Sequence, residues 1–215
     1  IPLGIALFGI ESVPYTSIIN IANILFIYIF TVYFFAREQF LLKEDGTPKC
    51  IAGVPPDYFA EDGQLWKNPL YDWDSMKEHG FAWWSERIAH SAELFDGLRF
   101  DHFRGFESYW SIPAGAETAR EGEWKKGPGL EFVRKMEQAA GKCLLIAEDL
   151  GDLTEDVEEL LQASGFPGMR VLQFAFLGDK KSPHLPHNYI KNCIAYTGTH
   201  DNNTARGWFE NEAGP

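Results

Sequence analysis

From Asp74 onward the chain alternates between stretches with helical spacing of apolar residues and short, nearly continuous apolar runs. Asp74 to Phe95 reads as a helix and Gly97 to Phe103 as a strand. Leu130 to Ala140 reads as a second helix, introduced by a turn at Gly127-Pro128-Gly129, and Lys142 to Ala147 as the strand after it. Thr154 to Ala163 follows as a helix, with Thr154 as its cap and Glu155, Asp156 and Glu158 placed to favour its N-terminal end. Met169 to Phe176 and Asn192 to Thr197 are the next predicted strands. Strand and helix in alternation predict an α/β fold with a parallel sheet. Between Ala52 and Trp73 the chain is rich in Pro, Gly and aromatic residues and carries no such period, which predicts a long ordered loop.

Residues 1–35 do not follow this pattern. Ile18 to Phe35 is an 18-residue run without charge, with Asn20 and Asn23 as its strongly polar members. That length is the minimum for a membrane span. A buried strand pair, or sequence foreign to the natural protein, accounts for it equally in composition. No Lys or Arg precedes it and Arg37 is the first to follow, so neither the orientation rule nor a signal-peptide pattern supports a membrane role.

Three of the apolar runs end in a carboxylate. Asp101 lies in Gly97-Leu98-Arg99-Phe100-Asp101-His102-Phe103-Arg104-Gly105, Glu148 closes Cys143 to Ala147, and Asp201 follows Ile194 to His200. A single acid at a strand end is usually a cap or a loop solvator, and Asp149, just before Leu150-Gly151, fits that reading. Three acids in the same register are harder to dismiss. In a parallel barrel the carboxyl ends of all strands open on one face, where catalytic groups converge. Two working carboxylates with a third that stabilises positive charge are the groups needed for glycosyl transfer.

Composition narrows the classes. Across 215 residues the apolar fraction is 45%, enough for a core, and the aromatic fraction is 15%, suited to stacking on flat sugar faces although most such rings belong to cores. Tyr109, Trp110, Trp124 and Trp208 are expected in the core rather than at a sugar. A formal charge of −12 argues against nucleic acid and suits a soluble enzyme with a neutral substrate. The three cysteines, Cys50, Cys143 and Cys193, form no Cys-x-x-Cys pair, and the six histidines show no metal spacing. No cofactor or metal is implied. Asn202-Asn203-Thr204 is formally a glycosylation acceptor, but a glycan there would block Asp201, so it is read as chance.

Several blocks resemble the signature segments of amylomaltase, also called 4-α-glucanotransferase or disproportionating enzyme. They are Val54-Pro55-Pro56-Asp57-Tyr58-Phe59, Gly63-Gln64-Leu65-Trp66, Asn68-Pro69-Leu70-Tyr71-Asp72-Trp73, Arg99 to Gly105, Ile146-Ala147-Glu148-Asp149-Leu150-Gly151 and Thr197-Gly198-Thr199-His200-Asp201-Asn202. Their order and spacing match from about Phe35 to the C-terminus. The resemblance implies membership of the α-amylase superfamily and a retaining (β/α)8 TIM barrel acting on α-1,4-glucan donors and acceptors, in the cytoplasm or, in a plant or alga, the plastid. By position it implies Asp101 as nucleophile, Glu148 as acid/base, Asp201 as transition-state stabiliser, and Arg99 and His200 as their partners. The family's corresponding loop covers bound glucan, which points to Trp66 stacking on sugar and Gln64 hydrogen bonding to it.

The same resemblance sets the expected extent. Family members are about twice this length or more and a barrel needs ~250 residues, so the chain reads as an internal fragment: a partial barrel over residues 36–215, with 1–35 a divergent or corrupted barrel strand. The aspartate-bearing strand and the Ser-Ala-Asp-Val-Trp-like segment that amylomaltases carry there are absent. Such a fragment alone is expected to be inactive. A glucan hydrolase using the same acids, or a glucan-binding fragment without turnover, are the competing readings; the long loop favours transfer.

Overall fold

The computed structural model describes residues 36–57, 60–151, 153–176 and 180–213. The expectations for residues 1–35, and for Tyr58 and Phe59 within the signature blocks, lie outside the described residues. The chain divides into two compact units, one reaching to Asp72 and including Ile112–Glu121, the other made of Trp73–Ser111 and Gly122–Pro215.

In the first unit the stretch expected to be a loop contains a hairpin. Strand β1, Cys50–Val54, pairs antiparallel with β2, Gln64–Pro69, and the register shifts between Ile51 and Gly53. Glycine is required at position 53, because a Cβ there would overlap the Gln64 carbonyl and stand 2.6 Å from Ile112 Cδ1. Along β2, Leu65 is half-buried between exposed Gln64 and Trp66, but the alternation stops at Lys67, which is exposed and left-handed at φ 66°. Ile51, Leu70, Ile112 and Ala119 are buried in this unit. Arg120 ties down the turn before β2, with Nε 2.8 Å from Asp62 Oδ1 and Nη2 donating to the Glu61 carbonyl at 2.7 Å.

The second unit carries the α/β part. The helix expected over Asp74 to Phe95 is two helices, α1 at Trp73–Glu78 and α2 at Ala82–Leu94. They are separated by two successive left-handed residues, Gly80 at φ 62° and Phe81 at φ 57°. A non-glycine residue accepts that conformation only when its surroundings fix it. Phe81 is 1% exposed and its ring stands edge-on to Phe132 at 5.3 Å, which supplies the constraint.

Strand β3, Gly97–Phe100, ends three residues before its expected end and leads into a turn and a short 3-10 helix. Next comes a hairpin absent from the sequence reading, β4 at Ser108–Pro113 and β5 at Glu123–Lys126, paired between Ser108–Ser111 and β5. Helix α3, Gly129–Ala140, begins at the expected Gly-Pro-Gly turn, and β6, Leu144–Ala147, follows it. Helix α4, Glu155–Ser164, has extended Thr154 before it, but the Thr154 hydroxyl makes no capping hydrogen bond; its carbonyl accepts from Val157 and Glu158 instead. Strand β7, Gly168–Val171, is shorter than expected because Leu172–Phe176 turns into 3-10 helix, and β8 is Cys193–Tyr196. A final helix, α5, covers Ala205–Asn211.

Strands β3 and β6 pair in parallel with Arg99 opposite Ile146 and Phe100 opposite Ala147, and β7 and β8 pair in parallel with Val171 opposite Tyr196. The Ala147 N–H donates to the Pro167 carbonyl at 3.0 Å, joining β6 to the entry of β7. β3 with β6 and β7 with β8 thus form two parallel pairs that follow one another in chain order.

Behind β3 lies a packed aromatic group. Phe132 of α3 is fully buried and its ring contacts Trp73 at 5.2 Å, Trp84 at 5.5 Å and Phe106 at 4.8 Å. Phe100 and Phe106 meet edge-on at 5.3 Å, and Phe103 is wholly buried beside Phe106. The expectation of core placement fails for Trp124, which is 43% exposed on β5, with the Arg104 guanidinium 4.3 Å above its ring. Tyr109, Trp110 and Trp208 are only half-buried. Because Phe132 touches α1, α2 and the turn after β3 at once, Phe132→Ala should cost about 3–5 kcal/mol. The denaturant midpoint, followed by aromatic fluorescence, measures this; a loss below about 1 kcal/mol would mean that the ring cluster is not what holds the helices to the turn.

Candidate active site

Alternation along β3 decides which side chains leave the core. Phe100 is buried, so Arg99 and Asp101 on either side of it share the opposite face. Arg99 is largely covered and Asp101 is three-quarters exposed, and Arg99 Nη2 stands 2.6 Å from Asp101 Oδ1. The same guanidinium reaches β7, where Arg99 Nε lies 3.3 Å from the Met169 sulfur. Asp101 therefore meets solvent on one side and a fixed cation on the other.

Glu148 follows the last residue of β6 directly. Its main chain continues the ladder with β3, its N–H donating to the Phe100 carbonyl at 2.9 Å and its carbonyl accepting from Phe103 at 3.1 Å. Both carboxylate oxygens accept main-chain N–H groups, Oε2 from His102 at 2.7 Å and Oε1 from Leu150 at 2.8 Å. Burial raises the Glu148 pKa above the ordinary glutamate value and the Asp101 charge adds to the rise, while the Leu150 and His102 hydrogen bonds and Arg99 act against it. The net direction is the one an acid catalyst needs.

His102 is the turn residue between Asp101 and the 3-10 helix, and it adopts a left-handed conformation, φ 50° and ψ 56°. Its imidazole is lowered in pKa, chiefly by burial and further by Arg104, with Asp101 opposing. Sequence reasoning passed over this residue because left-handed backbone is announced by Gly, Asn or Asp more often than by His.

Asp149 was expected to be an exposed cap or turn. Instead its side chain is 2% exposed, accepting from the Met169 N–H at 2.6 Å and pairing with Arg170 Nη1 at 2.9 Å. Pro167 and Gly168 bring the entry of β7 against the end of β6, and a Cβ on Gly168 would collide with the Asp149 carboxylate. The signal was present in Gly168 and Arg170, but only contact between the strands makes it readable. His184 closes the other end of this group, its Nδ1 accepting the Val171 N–H at 3.1 Å. Burial and Arg170 lower its pKa and Asp149 opposes them.

Asp201 lies five residues beyond β8, exposed, with His200 Nε2 3.4 Å from its Oδ2. Its turn is locked by Asn202, whose Oδ1 accepts both the Thr199 N–H and hydroxyl at 2.9 Å, and the Thr199 hydroxyl accepts the Asp201 N–H at 3.2 Å. Asn202 thus has a structural task in place of the chance glycosylation reading. Buried Gln173, in the 3-10 helix after β7, donates to the Asn203 carbonyl at 2.9 Å, in space that Gly198 leaves open. Arg99, Asp101 and Glu148 are brought into one electrostatic group, whereas Asp201 and His200 form a separate pair at the end of β8.

Gln64 and Trp66 belong to the other unit, on β2. They sit two residues apart, both exposed, and Trp66 Nε1 donates to Gln64 Oε1 at 3.1 Å. Among the described residues no group of three or more His, Cys, Asp or Glu side chains could hold a metal, and no helix is long and apolar enough to cross a membrane.

Residues 32–214 match the family described as 4-alpha-glucanotransferase. A 4-alpha-glucanotransferase of Clostridium butyricum is 55% identical over 174 residues, covering 80% of this chain and 36% of its own length. The chloroplastic/amyloplastic 4-alpha-glucanotransferase of Solanum tuberosum is 52% identical, covering 81% and 30%. Among solved structures, the amylomaltase from Streptococcus agalactiae in complex with acarbose superposes with a TM-score of 0.78 at 46% identity, covering 84% of this chain and 37% of that one. The chain therefore spans about a third of the length of the relatives it matches. On the extent of that match and the identity over most of its residues, this chain belongs to the 4-alpha-glucanotransferase family.

Proposed function

We propose that this chain carries the catalytic carboxylates of a 4-α-glucanotransferase, which moves α-1,4-glucan segments to the 4-hydroxyl of an acceptor glucan or glucose by retaining double displacement. The observation that carries this reading is a pair of acids of opposite character at adjacent parallel strand ends. Asp101 is exposed and held by Arg99; Glu148 is half-buried and retains its proton to higher pH. An exposed carboxylate beside a fixed cation suits the nucleophile and a carboxyl of raised proton affinity suits the acid, which supports this division of roles.

In the first step an Asp101 oxygen bonds to the anomeric carbon as the glycosidic bond breaks, and the Glu148 proton passes to the departing oxygen. In the second, the acceptor hydroxyl gives its proton to Glu148 and its oxygen displaces Asp101. Configuration is kept because each step inverts it. Asp201 stabilises the positive charge that develops on the sugar, and His200 orients Asp201. Transfer prevails over hydrolysis only where sugar, not water, occupies the acceptor position; Trp66 and Gln64 are proposed to hold it, Trp66 by stacking on a pyranose face. The compartment proposed is the cytoplasm, or the plastid as designated for the potato relative.

The assignments are tested in the full-length enzyme. Asp101→Asn should abolish disproportionation of maltotriose, and a mechanism-based glucosyl label should map by mass spectrometry to Asp101; label on another acid, or a near-normal rate in the variant, overturns the nucleophile role. Glu148 donates its proton in the first step, so the rate on maltooligosaccharides should fall as pH rises through the Glu148 pKa, above the usual glutamate range. Glu148→Gln should lose this limb and the activity with it, yet release fluoride from a glucosyl fluoride donor in a single-turnover burst, since fluoride leaves without a proton. Equal loss on both donors would remove the acid role. Trp66→Ala should shift products from transfer toward hydrolysis, by about fivefold or more for a lost stacking of ~1 kcal/mol; an unchanged ratio would leave Trp66 without a part in acceptor binding.

A further inference from the structure

The acid/base is gripped by the turn that carries the nucleophile. Between Phe100 and Phe103 the chain makes three hydrogen bonds to Glu148: the Phe100 carbonyl accepts its N–H, the Phe103 N–H donates to its carbonyl, and the His102 N–H donates to Oε2 at 2.7 Å. The first two continue a parallel ladder. The third does not belong to a ladder, and it exists because His102 turns to φ 50°. With the other carboxylate oxygen on the Leu150 N–H, the group has one main-chain donor on each oxygen.

We propose that the left-handed backbone at residue 102 is a positioning device for Glu148: it aims a main-chain N–H at the Oε2 atom, so that the reach of the acid/base is set by the same four residues that place the nucleophile. His102 acts through Glu148 and does not itself touch the sugar. The inference rests on the reading of Glu148 as acid/base, and it assigns to residue 102 a role of conformation, not of imidazole chemistry. A left-handed turn suits Gly and Asn, is tolerated by His, and is resisted by Ala because of its Cβ. The imidazole Cδ2 stands 3.2 Å from where a Cβ on Gly105 would lie, so a larger residue at 105 would press on the His102 ring.

The charged and titratable groups around Glu148 bear on any pH reading. Arg99 and Asp101 act on it from β3, His102 and Arg104 flank it on the turn, and Asp149 with Arg170 and His184 are packed between the ends of β6 and β7. Apart from the imidazole of His102 itself, which all three replacements lose equally, none of these side chains changes when residue 102 is replaced by Gly, Asn or Ala. What differs is the cost of the left-handed turn.

The test compares His102→Gly, His102→Asn and His102→Ala in the full-length enzyme, by the pH dependence of kcat/KM on maltotriose and by the glucosyl fluoride burst, with Glu148→Gln alongside. Gly and Asn should keep the basic limb close to that of the parent. Ala should move it to higher pH, because a lost N–H donor favours the protonated carboxyl, and should lower kcat/KM about tenfold while leaving the fluoride burst nearly intact. Thermal melting of each variant separates a folding loss from this effect. If Gly, Asn and Ala behave alike, the backbone of residue 102 does not position the acid and the proposal is overturned. If Glu148→Gln leaves the basic limb in place, the fault lies with the acid/base reading itself and not with the turn.

Discussion

The placement of both Asp101 and Glu148 depends on one piece of main-chain pairing, the parallel ladder between β3 and β6 and the hydrogen bonds that carry it past both strand ends to Glu148 and Phe103. Glu148 is already outside its strand, yet its N–H and carbonyl remain paired with Phe100 and Phe103. A residue at the mouth of a sheet ordinarily hands its backbone groups to water. Here it hands them to the neighbouring turn, so the side chain that leaves the backbone has little freedom left to lose when it acts. Rotation of a carboxyl away from its working position by ~1 Å costs on the order of a hundredfold in rate, which makes the fixing of that backbone as consequential as the acid itself.

The ladder stays in place because of what lies behind it. Phe100, Phe103 and Phe106 occur at three-residue spacing across the end of β3 and the following turn, and each is buried against aromatic partners. Arg99 and Asp101 flank the first of them and are carried to the other side. On the far side of β6 the buried Asp149 and Arg170 perform the corresponding task with charge. A buried ion pair adds little net stability over an apolar pair, but removing one partner strands the other at a cost of roughly 3–5 kcal/mol. The pair thus fixes the register of the β6 end on the β7 entry, and with it the placement of Arg99 against Met169.

The parallel α/β part and the strand-end positions of Asp101 and Glu148 were readable because each depends on local pattern, an apolar run and then a charged residue where the run stops; Asp201 instead stands five residues past β8, in a turn of its own. What escaped depends on contacts far along the chain. The break at Gly80 and Phe81 is hidden by a phenylalanine in a conformation that only its burial against Phe132 sustains, although Gly80 was a local hint. The hairpin in Ala52 to Trp73 was masked by its prolines and aromatics, and that of β4 and β5 by polar residues such as Glu123, Lys125 and Lys126 on a strand exposed throughout. Asp149 and Glu148 are neighbours of nearly identical chemistry, and nothing local says that the first would be buried on Arg170 and the second would face the turn. That sorting is done by the pleat, which sends adjacent residues to opposite sides.

The same pleat explains how two acids that must behave oppositely can stand so near each other. Asp101 emerges from β3 beyond the ladder, keeps contact with water and gains Arg99 as a fixed cation two residues earlier on its own face. Glu148 emerges one strand over, beside the turn that Asp101 begins, where the His102 N–H holds its Oε2. Burial raises the proton affinity of Glu148 and the Asp101 charge raises it further. In the mechanism proposed above, bonding of Asp101 to sugar removes its charge, and that part of the rise goes with it. The proposed acid of the first step then becomes a carboxylate with a lower proton affinity, suited to act as the base of the second. Arg99 and the His102 and Leu150 N–H groups are already positioned to stabilise that form. On that proposal the change of role comes from the chemistry at Asp101, with no movement of Glu148 required.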